Sequence, residues 1–280
     1  MSTVPAAGLP AGTQRLPARR RRLRMDPAPL VSLVAVLAVW QIASAFASDS
    51  IVPGLPAVLS TAWEILTGPR LEDFVTTLAR VGIGLASSFV VGAAIGLLAG
   101  ALPRFGRYVL PVVRFVQGIP ALSWVVIAVI WFASVEVRIW FIMLVVTLPG
   151  FVLQVYDSYR AIPKELRDMA RSFRPGRYAL FRELTLPAVT PGIFTAWKVN
   201  LGLGIRMVLV AELVGATIGV GAQLLDAQQL FDMTTVIAWT LLLALAVLLF
   251  QGLIEVIEAR VLRYRPAVGA THRQTRREQG

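Results

Sequence analysis

Four ionisable residues fall within or beside the apolar stretches of this sequence: Arg114, Lys198, Arg206 and Glu212. A charge placed among apolar residues is costly to bury, and it marks a functional position unless it reaches water or a partner. Arg114 and Lys198 stand near the ends of their stretches, where a long side chain can carry its charge outward along an apolar surface. Arg206 and Glu212 stand deeper. Six positions apart, they face different sides of a helix, so a local pair is not expected. Arg206 offers a planar fork of donors that matches an anion bearing two oxygens. Pairing with another chain or with backbone carbonyls would satisfy it equally, and Glu212 has the same two outcomes. Other chemistries lack their residues. There is no Cys, and the single His is His272, so thiol chemistry, a His-based metal site and a His proton relay are excluded. Ser87, Ser88 and Ser123 have no visible base. No Gly-x-x-x-x-Gly-Lys-Ser/Thr loop is present to cradle a nucleotide.

The elements that hold these residues follow from composition. Of 280 residues 56% are hydrophobic and 15% charged, with a mean hydropathy of +0.70. A soluble domain carries about 25% charge, so a soluble fold of this chain could not be wetted. Disorder is excluded by the same excess of apolar residues. A membrane-crossing helix needs about 20 apolar residues. Stretches 30–46, 81–102, 116–135, 139–155 and 233–254 contain no charge, and 201–220 is broken only by Arg206 and Glu212. The expected fold is an all-α polytopic membrane protein with six transmembrane helices. Strand-like alternation is absent, which argues against a β-barrel.

The formal net charge is +11 and the pI about 11.2. Such a balance can signal nucleic acid, but the placement of the charges speaks for a bilayer and no nucleic acid is expected. Basic residues gather at 15–24, at 104–107, at 160–182 and at 260–277, while the alternate loops hold only Arg70, Arg80 and Arg138. The positive-inside rule then puts both termini in the cytoplasm. Arg19 to Arg24 with Ala43-Ser44-Ala45 resembles a cleavable leader. The apolar run is longer than a leader core, so an uncleaved first span is expected. Residues 1–27 and 266–280 read as disordered basic tails around a membrane domain at 28–265.

Within that domain, 49–79 is an external loop whose 61–66 and 71–78 read as short amphipathic surface helices. Gly84, Ser88, Gly92, Gly96 and Gly100 recur every four residues and line one helix face with small side chains, so a second helix can approach closely. Ordinary packing and a seam in a transporter core account for this equally. Gly118-Ile119-Pro120 and Pro149-Gly150 interrupt the third and fourth stretches. Proline removes a backbone donor, and broken membrane helices persist where protein or a water-filled path satisfies the freed groups. Pro120 and the nearby Trp124 are therefore candidates for such a path, against the alternative that proline and an interfacial tryptophan are common in membrane helices.

The longest cytoplasmic loop, 156–194, carries a helical pattern. Pro163 suits a first helical position, and Leu166, Met169, Ala170 and Phe173 form one apolar stripe. Lys164 and Asp168 are spaced to pair, as are Asp168 and Arg171. Pro175-Gly176 is expected to end the helix, and a second amphipathic run, 177–186, to stop at Pro187. The stripe is too small for a span. It must be covered by the bilayer surface or by a groove on a partner.

This loop resembles that of ATP-binding-cassette importer permeases, nearest to their nitrate/sulfonate/taurine class. The family loop reads Glu-Ala-Ala, then a Gly, then a later Leu-Pro. Here Asp168-Met169-Ala170 stands for the first, Arg174 for the Gly, and Leu186-Pro187 for the last. Residues 210–216 and 219–221 resemble the same class ahead of its last external loop, and 103–120 resembles its approach to the third span. The likeness covers about 30–262. It implies an importer-permease (type I) core in a bacterial inner membrane, working as a pair of chains, expected to be identical. It implies a separate ATPase subunit that grips Leu166, Asp168, Met169, Ala170, Arg171 and Phe173, with Arg174, Gly176, Leu186 and Pro187 completing the corner. ATP would be used by that partner, and this chain would hold no cofactor and be no enzyme. An extracytoplasmic binding protein would deliver a small organic or inorganic anion, such as a sulfonate or nitrate, to a path including Arg206, Glu212, Pro120 and Trp124. The alternative is a secondary transporter not driven by ATP, which would need coupling-ion residues and, usually, internal repeats; neither is visible.

Overall fold

The computed structural model describes residues 28–48, 51–174 and 176–262. The two expected tails, His272 and the Pro175 turn lie outside the described residues, as does the side chain of Arg171. All described regular structure is helical. The helices are α1 (Ala28–Phe46), α2 (Leu55–Thr67), α3 (Leu71–Ala101), α4 (Pro103–Gly118), α5 (Ala121–Trp131), α6 (Val135–Arg160), α7 (Lys164–Ser172), α8 (Arg177–Leu180), α9 (Leu186–Leu213), α10 (Val220–Gln229) and α11 (Met233–Val261), with a π-helical turn at Phe181–Thr185 between α8 and α9.

Four rods are long and apolar enough to cross a bilayer: α3, α6, the continuous helix Tyr178–Leu213, and α11; the bent pair α4–α5 makes up to five. The expected six is reached only if α1 is counted too, whose apolar part, Val34–Phe46, is shorter. The third stretch, 116–135, breaks at the expected interruption Gly118-Ile119-Pro120, where α4 and α5 meet at 93°. The physical reason is Pro120, which lacks a donor and drives Ile119 to extended backbone at φ −76°, ψ 131°. Pro149, by contrast, lies inside α6 and the helix runs on.

Three further boundaries differ from expectation. Residues 71–78 are not a separate surface helix but the first turns of α3. The run at 177–186 does not stop at Pro187. The π turn passes into α9, where Pro187 occupies a first-turn position that needs no donor. The block expected at 201–220 ends as helix at Leu213, because Gly215 (φ 107°) and Gly219 (φ 126°) turn the chain through backbone that side chains disfavour.

α6 is the central rod, packed along α3 on one side and α9 on the other. The glycine row of α3 makes the first contact possible. A Cβ on Gly84 would stand 2.7 Å from Met143 Cβ, and one on Gly96 2.6 Å from the Val152 carbonyl oxygen. Phe89, Phe151 and Trp197 interlock between the three rods at centroid separations of 5.4 to 5.6 Å. α11 packs on α9 and α2, burying Trp239 and Ala238 against Val58 and Ile65.

Candidate functional site

Three places gather polar or unpartnered groups. The first is a buried knot at the far end of α9 from the corner at 156–194. Glu212 is 0% exposed. Its carboxylate accepts from Thr77 Oγ1 at 3.0 Å, Arg80 Nη1 at 2.7 Å and the Gly221 amide at 2.9 Å. Arg80 also donates to the Ile218 carbonyl at 2.7 Å and pairs with Glu136. Thr77 accepts from the Val220 amide, and Asp73 from the Gly219 amide, each at 2.8 Å. Three side chains of α3, Asp73, Thr77 and Arg80, thus clamp residues 218–220 where the chain leaves the α9 rod. Both oxygens of this buried carboxylate are therefore hydrogen-bonded, to two side chains and a backbone amide. Sequence reasoning placed Arg80 only as a loop charge and passed over Thr77, Asp73 and Glu136. The short run Gly219-Val220-Gly221 was the available signal, since such a run marks a place where backbone amides can approach a side chain.

The second place is a cavity of about 380 Å³ at the α4–α5 break. Gln117, Pro120 and Trp124 line it from the broken span, Gly150 from α6, and Asn200 and Leu203 from α9. The two sequence-flagged interruptions therefore meet in space: a Cβ on Gly150 would come within 2.6 Å of Asn200 Oδ1. Asn200 Nδ2 donates to the Ala196 carbonyl at 2.9 Å, which fixes the amide. The lining contains no charged residue. Pro120 and Trp124 are brought together here, whereas Arg206, exposed on α9, is not among the lining residues and Glu212 belongs to the knot. Lys198 pairs with Glu258 of α11 at 2.6 Å. Gln117 and Asn200 were missed; an amide inside an apolar stretch was the signal that would have found them.

The third place is the corner. Val155, Ile162 and Val189 are buried together and root it on α6 and α9. Beyond them α7 stands clear of the bundle. Leu166 is 40% exposed, Met169 56% and Phe173 79%. Asp168 and Gly176 are exposed, Ala170 is half-buried, and Lys164 makes no ion pair with Asp168. Arg174 adopts φ 51°, the left-handed conformation that glycine accepts without strain. Leu186 is exposed and Pro187 half-buried.

Residues 92–263 match the family model described as binding-protein-dependent transport system inner membrane component, and the chain belongs to that family. It is similar to the nitrate import permease protein NrtB of Synechocystis sp., 24% identical over 84% of this chain and 88% of that one. It is likewise similar to the putative aliphatic sulfonates transport permease protein SsuC of Bacillus subtilis, at 26% over 82% and 84%, and to SsuC of Escherichia coli K12, at 28% over 90% and 96%. Among solved structures, a chain of the inward-facing MetNI methionine ABC transporter matches with a TM-score of 0.60 and 19% identity, over 74% of this chain and 97% of that one. That likeness establishes the fold.

Proposed function

We propose that this chain, with a second identical copy, forms the path by which a small anion of the nitrate, sulfonate or bicarbonate kind enters a cell. ATP is hydrolysed by a separate ATPase subunit that grips the corner at 156–194. An extracytoplasmic binding protein delivers the solute, the protein lies in the inner membrane, and both termini are cytoplasmic. The observation that carries the reading is the naked stripe of Leu166, Met169 and Phe173. Apolar side chains held out from a bundle on a rooted corner are an anchor for a groove on another protein. The corner sits between α6 and the rod running into α9, so its displacement moves both rods that wall the cavity. An ATPase that binds the corner differently in its open and closed states can thereby bias the path.

The solute class rests on relatives named for nitrate, aliphatic sulfonates and bicarbonate, all small anions. A cavity with amides and no carboxylate suits such a passenger. Amide donors hold an anion long enough to pass, while a fixed cation would retain it. The test is Phe173→Asp, made in the assembled system. The chain should insert at its normal level, the ATPase should no longer copurify, and uptake should fall about tenfold or more. Undiminished copurification and uptake would overturn the reading.

A further inference from the structure

The molecule has a second polar cavity, apart from the path, at the root of the corner. It measures about 310 Å³ and lies between α4 and α6, at the end of the bundle where α6 enters the corner. Arg107 and Arg114 line it from α4, Tyr156 and Arg160 from α6. The ion pairs among the described residues are Arg80–Glu136, Arg80–Glu212 and Lys198–Glu258, so no carboxylate engages these three guanidiniums. No acidic residue lines the cavity. Three cations lining one cavity without a counter-charge repel one another, and an anion bound among them relieves that repulsion. Guanidinium forks match the paired oxygens of a phosphate, and a phenol adds a donor.

We propose that this cavity binds the phosphate of an anionic phospholipid headgroup. The order of faces around α4 favours a lipid over a free ion. Gly106, Leu110 and Val113 are buried against the bundle. Next around the helix come Arg107, Pro111 and Arg114, which line the cavity. Next again come Tyr108, Val112 and Phe115, all strongly exposed. A basic stripe thus borders an open apolar stripe on one helix at a membrane-protein end. A headgroup seated on the first lays its acyl chains along the second. The cavity shares no lining residue with the one at the α4–α5 break, so the proposal does not rest on the reading of the path.

The test is native mass spectrometry of the full chain, titrated with phosphatidylglycerol and with phosphatidylcholine. One phosphatidylglycerol should be retained in preference to phosphatidylcholine. R107Q/R114Q should bind it roughly thirtyfold more weakly, from the loss of two basic contacts near a headgroup. R182Q/R260Q removes the same charge elsewhere and should bind as the parent does. R107K/R114K, which keeps charge but loses the forks, should fall between. Equal retention of both lipids, or equal weakening by the two glutamine pairs, would overturn the site. Displacement of the lipid by millimolar inorganic phosphate would overturn the lipid assignment in favour of a free anion.

Discussion

At the scale of single residues, the buried knot shows why one carboxylate can matter more than its neighbour. Glu212 is wholly enclosed and Arg80 is 10% exposed, while the Glu136 side chain is 65% exposed. Glu212→Ala leaves Arg80 facing a void and strands the Gly221 amide, a loss of about 3–5 kcal/mol. Glu136→Ala breaks a pair that water can replace, a loss of about 1 kcal/mol or less. Thermal unfolding of the purified chain in one detergent separates the two. Asp232, which caps α11, supplies a pH-dependent counterpart. Its carboxylate accepts from Thr235 Oγ1 at 2.6 Å and from the Thr235 amide at 3.1 Å. The side-chain hydrogen bond first, and the backbone one next, hold its carboxyl below the usual range. A depressed value means that the contribution is complete above the unfolded carboxyl's pKa, about 3.9, and is lost as pH falls through the folded value. Asp232→Ala should therefore cost about 1 kcal/mol at neutral pH. The gap from the parent, followed as unfolding midpoint against pH, should narrow on acidification below that range.

At the scale of elements, the α3–α6 seam separates glycines that are needed from those that are not. Gly96→Ala places its Cβ against the Val152 carbonyl, which belongs to helix backbone and cannot swing aside. The rods must part, at about 1–3 kcal/mol. Gly82→Ala, on the same helix, meets nothing within 4 Å and should stabilise by up to about 1 kcal/mol. A paired unfolding measurement on these two variants checks the seam without reference to transport. The corner has its own backbone test. Arg174 holds φ 51°, so Arg174→Gly should keep full uptake. Arg174→Val, a β-branched residue in that conformation, should lose uptake, since the strain of about 1–3 kcal/mol is relieved only by reshaping the turn. Uptake assays at matched membrane levels read the difference.

At the scale of the whole molecule, the cavity at the break exists because two interruptions distant in sequence meet across α4–α5, α6 and α9. Its uncharged amide lining makes a prediction about sign. Gln117→Glu sets a carboxylate in the way of an anion, and like charges juxtaposed cost enough to lower uptake at least about tenfold. Gln117→Leu should cost less. Anion uptake in proteoliposomes, with chain abundance matched, compares them.

The sequence alone determined what depends on composition and short-range order. Its apolar blocks announce membrane helices because hydrocarbon excludes charge over about 20 residues. The four-residue glycine row announces a close helix contact because that spacing stays on one face. Leu166, Met169 and Phe173 announce a stripe in need of cover for the same reason. Only the tertiary structure decided what depends on chain segments far apart. Pro120 bends its span by 93° while Pro149 does not break its helix, although the local chemistry of the two prolines is the same. Glu212 lies in a knot with Thr77 and Arg80, more than 130 positions away along the chain, and Gly150 yields its volume to Asn200. Periodicity reports which face of a helix is apolar, but a partner across the bundle is chosen by packing in three dimensions, which no local pattern encodes.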